Sequence, residues 1–129
     1  MNCLHILGTE NTPEIHLSKE TGTFSISGRS VPEDGEKFFA PIMSWIEEYA
    51  NTPNAITHFD FHMECMNLSS SKMLLFILYK LKEIKDENKE VLVNWIHESE
   101  DMDMIEVGED YEFMVDVPFK FSIYQPIMA

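Results

Sequence analysis

Hydrophobic and polar residues change their period several times along the chain, and each change marks an element. Glu14 to Ser18 alternates with Ile15 and Leu17 on one side, and Thr23 to Ser27 alternates with Phe24 and Ile26. Between them Lys19-Glu20-Thr21-Gly22 supplies a turn whose glycine suits a positive φ, so the pair predicts a β-hairpin. Residues Met1 to Pro13 ahead of it read as a polar lead-in. From Phe38 through Ile42, Trp45, Ile46 and Tyr49 the apolar spacing becomes helical. Ser30 and Glu33 have capping-box spacing before that stripe, and Pro32 suits a first helical turn. Pro41 either kinks this helix or marks the start of its straight part.

A second alternation runs from Thr57 to Cys65. Thr57, Phe59, Phe61, Met63 and Cys65 point one way, and His58, Asp60, His62 and Glu64 the other, which predicts a strand with two different faces. Asn67, Ser69, Ser70 and Ser71 break the pattern, and Met73 to Ile84 is then almost continuously apolar. Asn or Ser before such a run is an N-cap signal, because the side-chain oxygen accepts a bond from an orphan backbone N–H. Val91 to Ile96 is a short apolar run of strand length. Met102, Ile105, Tyr111 and Met114 form a weak helical pattern interrupted by Gly108, and Pro118 to Tyr124, with Phe119, Phe121 and Ile123, predicts a last strand.

The order is ββαβαβαβ, a single α/β domain over residues 1–129 with a mixed sheet flanked by helices. Right-handed crossovers make the second, third and fourth of these strands parallel, so their ends share one rim. Arg29 and Ser30, the Asn67–Lys72 corner and His97–Asp101 all follow strand ends there. Open α/β sheets place their binding sites on such a rim.

Composition narrows the function. The 129 residues are 44% hydrophobic with nine Phe, four Tyr and two Trp, enough for one packed core. Formal net charge is −14, which repels nucleic-acid backbones and anionic lipid and favours a basic protein partner. Cys3 and Cys65 offer neither a disulfide framework nor a zinc site. With no basic leader and no apolar run near the ~20 residues of a membrane span, the expected location is the cytoplasm.

Metal chemistry fares poorly. On a strand, His58 and His62 lie ~13 Å apart at ~3.3 Å per residue, too far for one ion; a His–Asp neighbour pair with Asp60 stays open, and the face reads first as a polar strand face packed under a helix. Asp101-Met102-Asp103 has Ile105 and Glu106 where a calcium loop needs an oxygen ligand and a glycine. Residues 97–116 hold nine acids and no Lys or Arg, which reads as a solvated helix face or a docking surface for a basic partner.

The serine corner supports three chemistries. It is a helix cap with neighbouring serines left on the surface, or a phosphorylation site placed where the helix dipole and free N–H groups favour phosphate. Or Ser69 and Lys72 are the nucleophile and base of a Ser-x-x-Lys hydrolase, although the chain has no Ser-Asp-Asn or Lys-Thr-Gly to accompany them.

An ordered set of short matches covers nearly the whole chain. It comprises Gly8-Thr9 with Thr12-Pro13-Glu14-Ile15, then Ile26-Ser27-Gly28-Arg29-Ser30 with Pro32-Glu33, then Asn67 with Ser69-Ser70-Ser71-Lys72. Asn94-Trp95, Gly108-Glu109-Asp110 and Val117-Pro118-Phe119 complete it. In these the chain resembles the SiaC family of bacterial regulatory phosphoproteins. The resemblance implies a non-enzymatic, cofactor-free switch, phosphorylated by a dedicated Ser/Thr kinase and dephosphorylated by a PP2C-like phosphatase. Unphosphorylated, it would bind and activate a diguanylate cyclase and so promote cyclic-di-GMP synthesis and biofilm behaviour. The logic is like that of anti-sigma-factor antagonists, with a phosphoacceptor starting the helix after a strand.

The family pattern at the switch is Asn-Thr-Ser-Ser with threonine as acceptor, and Leu68 stands in the threonine position here. Ser69 or Ser70 then becomes the acceptor, Ser69 the nearer, with Asn67 and Ser71 shaping the corner and Arg29 and Lys72 sensing the phosphate. Alternatively the covalent switch is lost and the protein is a constitutive adaptor.

Overall fold

The structure, a computed structural model, describes residues 1–125. Six strands lie in chain order across one sheet: β1 (Leu4–Ile6), β2 (Glu14–Ser18), β3 (Thr23–Ser30), β4 (Ile56–Met66), β5 (Glu90–His97) and β6 (Phe119–Ile123). Three helices fill the crossovers, α1 (Gly35–Asn51), α2 (Leu68–Asp86) and α3 (Met102–Val115). β1, β2 and β3 pair antiparallel, and β3 to β6 pair parallel, so the sheet is mixed as expected. Gly22 turns the hairpin at φ 70°.

The N-terminal lead-in contains one strand more than the sequence predicts. Leu4, His5 and Ile6 pair with Leu17, His16 and Ile15, and so extend the sheet at its edge. Three residues are too few for a periodic signal, and the strand exists because β2 offers a partner.

Each parallel crossover steps to the next strand in the same direction, so right-handed connections place all three helices on one face. Their common core holds Ile15, Ile26, Phe59, Phe61 and Trp95 of the sheet with Phe39 and Ile42 of α1 and Leu74, Ile77 and Leu78 of α2. α3 joins through Tyr111, whose ring meets Trp95 edge-on at 5.6 Å. The face bearing His58, Asp60 and His62 is therefore the uncovered one, not a surface packed under a helix. His58 is exposed and Asp60 and His62 are half-buried, while Phe59, Phe61 and Met63 are buried.

The β3–β4 register slips by one residue between Gly28 and Arg29. Met66 consequently pairs with buried Ser30, and Cys65, expected on the apolar face, pairs with exposed Arg29. A bulge at a strand end re-aims the residues beyond it, here the entry to α2.

The start of α1 also differs from expectation. α1 begins at Gly35, capped by Asp34, whose carboxylate accepts from the Lys37 N–H at 3.1 Å. Ser30 cannot cap it because Ser30 is the last residue of β3. α1 runs unbroken through Pro41, which lies on the exposed side, where water can serve the Lys37 carbonyl that the ring leaves without a donor.

Candidate functional site

The ends of β3 and β4 meet the start of α2 at one corner, and Asn67 ties the three together. Its backbone N–H donates to Ser30 O at 3.0 Å, and its Nδ2 donates to Pro32 O at 3.0 Å in the β3–α1 loop. Its Oδ1 accepts from Ser70 N at 3.0 Å, the N-cap bond of α2, and from the Ser69 hydroxyl at 3.2 Å. With Asn67 as N-cap, Leu68, Ser69 and Ser70 are the first three helical residues, where backbone N–H groups lack helical partners.

The three serines, identical in sequence, have different surroundings. Ser70 is fully buried, and its hydroxyl shares a 2.7 Å hydrogen bond with that of Ser30, also fully buried. Ser71 turns toward α3, its hydroxyl 2.9 Å from Tyr111 OH, while Tyr111 OH donates to Ser71 O at 2.8 Å. Ser69 is half-buried, and a Cβ added to Gly35 would overlap its hydroxyl, so it rests against the first residue of α1. Leu68, the first residue of α2, is 87% exposed.

The cations expected at the corner are otherwise engaged. Arg29 Nε donates to Glu10 O at 3.1 Å, and Lys72 Nζ lies 5.7 Å from the centre of the Phe76 ring, one turn further along α2. No hydrogen bond joins Lys72 to Ser69 among the described residues, so the Ser-x-x-Lys pair is not assembled as a nucleophile and base. On the same rim Asp101 caps α3 through Met104 N at 3.0 Å. His62 Nε2 is enclosed and takes no hydrogen bond among the described residues; it lies 3.5 Å from Glu98 Oε1, an ion pair only when the ring is protonated. Among the described residues no group of three or more His, Cys, Asp or Glu is placed to hold a metal ion, and no helix is long and apolar enough to cross a membrane.

Sequence reasoning missed three participants: Ser30 as the buried partner of Ser70, Gly35 against Ser69, and Tyr111 on Ser71. The only signal for Tyr111 is its place in the weak helical pattern of α3. Burial holds the Tyr111 hydroxyl above its ordinary value, partly offset by the Ser71 hydrogen bond. A raised folded-state value means that its contribution to stability is complete below about pH 10 and is lost as pH rises through the folded value. Tyr111→Phe should therefore cost about 1 kcal/mol at neutral pH. The gap between the urea midpoints of wild type and variant should then narrow above about pH 10. A gap independent of pH would mean that Tyr111 titrates as in water.

Comparison with known proteins places this geometry among relatives. The family model described as SiaC family regulatory phosphoprotein matches residues 6–124. An uncharacterized protein of Pseudomonas aeruginosa (strain UCBPP-PA14) is 30% identical over 123 residues, 95% of this chain and 96% of that one. The structure of SiaC of Pseudomonas aeruginosa superposes with a TM-score of 0.87 at 27% identity, covering 96% of this chain and all of that one. A crystal structure of the diguanylate cyclase SiaD in complex with its activator SiaC, from the same organism, contains a chain with a TM-score of 0.86. That chain is 26% identical, and the match covers 94% of this chain and 99% of it.

Proposed function

The chain belongs to the SiaC family of regulatory phosphoproteins, and from that premise we propose that it binds and activates a diguanylate cyclase when unphosphorylated. A Ser/Thr kinase adds phosphate at Ser69 and a PP2C-like phosphatase removes it. The observation that carries the assignment of Ser69 is its setting among the three serines. Ser70 is sealed in the core and Ser71 is held by α3, whereas the hydroxyl of half-buried Ser69 bonds, among the described residues, only to Asn67.

A phosphate on Ser69 would sit at the second residue of α2, beside the first residue of α1, where helix N-termini favour negative charge. It would therefore not melt α2. Its effect falls on the partner, since nearly two negative charges appear next to Leu68, an apolar side chain standing free for docking.

Ser69→Asp should fold normally and weaken cyclase binding at least tenfold by calorimetry, and Leu68→Asp should do the same. Cyclase affinity unchanged in both variants would remove this corner from the interface. A second reading rests on Leu68 itself. A fully covered but unmodified 67–72 peptide from native cells with phosphatases blocked would make the protein a constitutive adaptor. Leu68→Thr would then be the substitution that restores phosphate control.

A further inference from the structure

The surface between α1 and α2 has a layout that packing does not require. α2 buries Met73, Leu74, Ile77, Leu78, Leu81 and Ile84, which suffices to seat it on the sheet. Phe76 and Tyr79 point away from that core and are 41% and 43% exposed. With Met43 and Met73 they line an open trough of about 370 Å³. Glu47, Lys80 and Glu83 continue it into a second trough of about 450 Å³ that ends at Asp86 and Glu87. The result is one groove, apolar near the serine corner and acidic at the far end.

The acidic end is unfavourable for the fold taken alone. Glu47 and Glu48 lie near the C-terminus of α1, where the helix dipole favours cations, and its last turn has no base. Of the carboxylates lining the groove, Glu47 and Glu87 take no ion pair among the described residues, Asp86 is held by Lys82 at 3.0 Å, and Lys80, the cation that lines the groove, is already 3.1 Å from Glu83. Charges placed against the dipole and left unpaired suit an external cation.

We propose that this groove receives an amphipathic helix of the cyclase partner, lying antiparallel to α1 and α2, with its apolar face on Phe76 and Tyr79 and Lys or Arg in its first turn. The proposal rests on the partner-binding function above and names the segment that is bound. The groove follows α2 from Met73 to Glu87, ~21 Å at ~1.5 Å per residue, the length of about fourteen helical residues. The antiparallel direction sets the positive N-terminal end of the incoming helix on the carboxylates. It also sets the negative C-terminal end, over Met73, about one turn from Ser69, where phosphate repels it. A second copy of this chain is a poor occupant, because two net charges of −14 repel.

The test uses a fluorescent helical peptide of about sixteen residues with leucines on one face and lysines in its first turn, compared with the same peptide carrying its lysines in the last turn. The first should bind at least tenfold tighter and lose affinity as salt rises. Its amide shifts should map to Met43, Phe76 and Tyr79. Tyr79→Glu and the pair Glu47→Lys with Glu83→Lys, all on exposed or half-exposed positions, should each weaken it at least tenfold, and Ser69→Asp less so. Absence of saturable binding, shifts centred on α3, equal affinity for a leucine-free peptide, or self-association without peptide would each overturn the groove assignment. Peptide binding in the groove with no cyclase captured would sink the function alone. Undiminished cyclase capture by Tyr79→Glu would sink the groove alone.

Discussion

Ser70→Asp should lose roughly 3–5 kcal/mol of stability, whereas Ser69→Asp, one residue earlier, stays within about 0.5 kcal/mol of wild type or gains slightly. The difference comes from surroundings rather than residue type. At position 70 a carboxylate replaces a hydroxyl with no exposed surface, whose hydrogen-bond partner among the described residues is the neutral Ser30 hydroxyl, and that bond does not replace the lost hydration of a charge. A domain of this size has about 5–15 kcal/mol in total, so much of the margin disappears. At roughly 4 °C per kcal/mol the melting temperature falls by roughly 12–20 °C. Protonating the buried carboxyl should recover part of the loss, so the variant gains relative stability on acidification. At position 69 the same charge meets a helix N-terminus.

Ser30→Ala and Ser70→Ala supply the control. Each alone orphans a buried hydroxyl at about 1–3 kcal/mol, and the double variant should lie closer to wild type than the sum of the two. If Ser70→Asp melted like wild type, the Ser30–Ser70 contact would have to open readily, and Ser70 would return as a phosphoacceptor. The practical consequence is that weaker partner binding by a Ser70→Asp protein reports unfolding and not switching, unless its melting is measured alongside.

Gly108→Ala should destabilise by ~2 kcal/mol, against the usual rule. In a helix interior this exchange gains about 1 kcal/mol from propensity. Here the added Cβ would lie 2.5 and 2.6 Å from Cδ1 and Nε1 of Trp95 and 2.8 Å from the Phe121 ring. Trp95 cannot retreat, because it is fully buried and its Nε1 donates to Met104 O at 2.9 Å. Overpacking against rigid rings costs about 3 kcal/mol, which outweighs the propensity gain. The strain passes to Tyr111, packed on Trp95, and through it to Ser71. Urea unfolding and the near-ultraviolet signal of Trp95 check this. An unchanged or raised urea midpoint would mean that α3 shifts freely on the sheet and does not brace the corner.

The same glycine shows where sequence reasoning stops. Gly108 looks like a break in a weak helical pattern, yet α3 is continuous and the glycine lets it approach Trp95. Strands with strong alternation, such as Phe59–Phe61–Met63, and the stripe Ile42–Trp45–Ile46–Tyr49 are legible because a few local residues determine them. The cap of α1 is not, because Ser30 and Asp34 both offer a capping oxygen and only the pairing of β3 with β4 removes Ser30 from the choice. The helix-free face of the sheet follows from strand order, which alternation does not encode. The fates of Ser69, Ser70 and Ser71 are set by Gly35, Ser30 and Tyr111, thirty to forty positions away in the chain. The overlong apolar run of α2 does carry a usable hint. A helix apolar beyond one face has side chains left over for a partner.

Strand order has a last consequence, for synthesis. Every strand pairs with its neighbour in the chain, so a growing polypeptide released at ~5–20 residues per second can assemble its sheet in the order of translation. No strand has to be inserted between two earlier ones, and each closure spans a single hairpin or crossover. The sheet grows at one edge only. Until residues 90–97 emerge, that edge is β4, eleven residues long and apolar on one face. A nascent chain paused there is the species most prone to pair with its neighbour on the polysome.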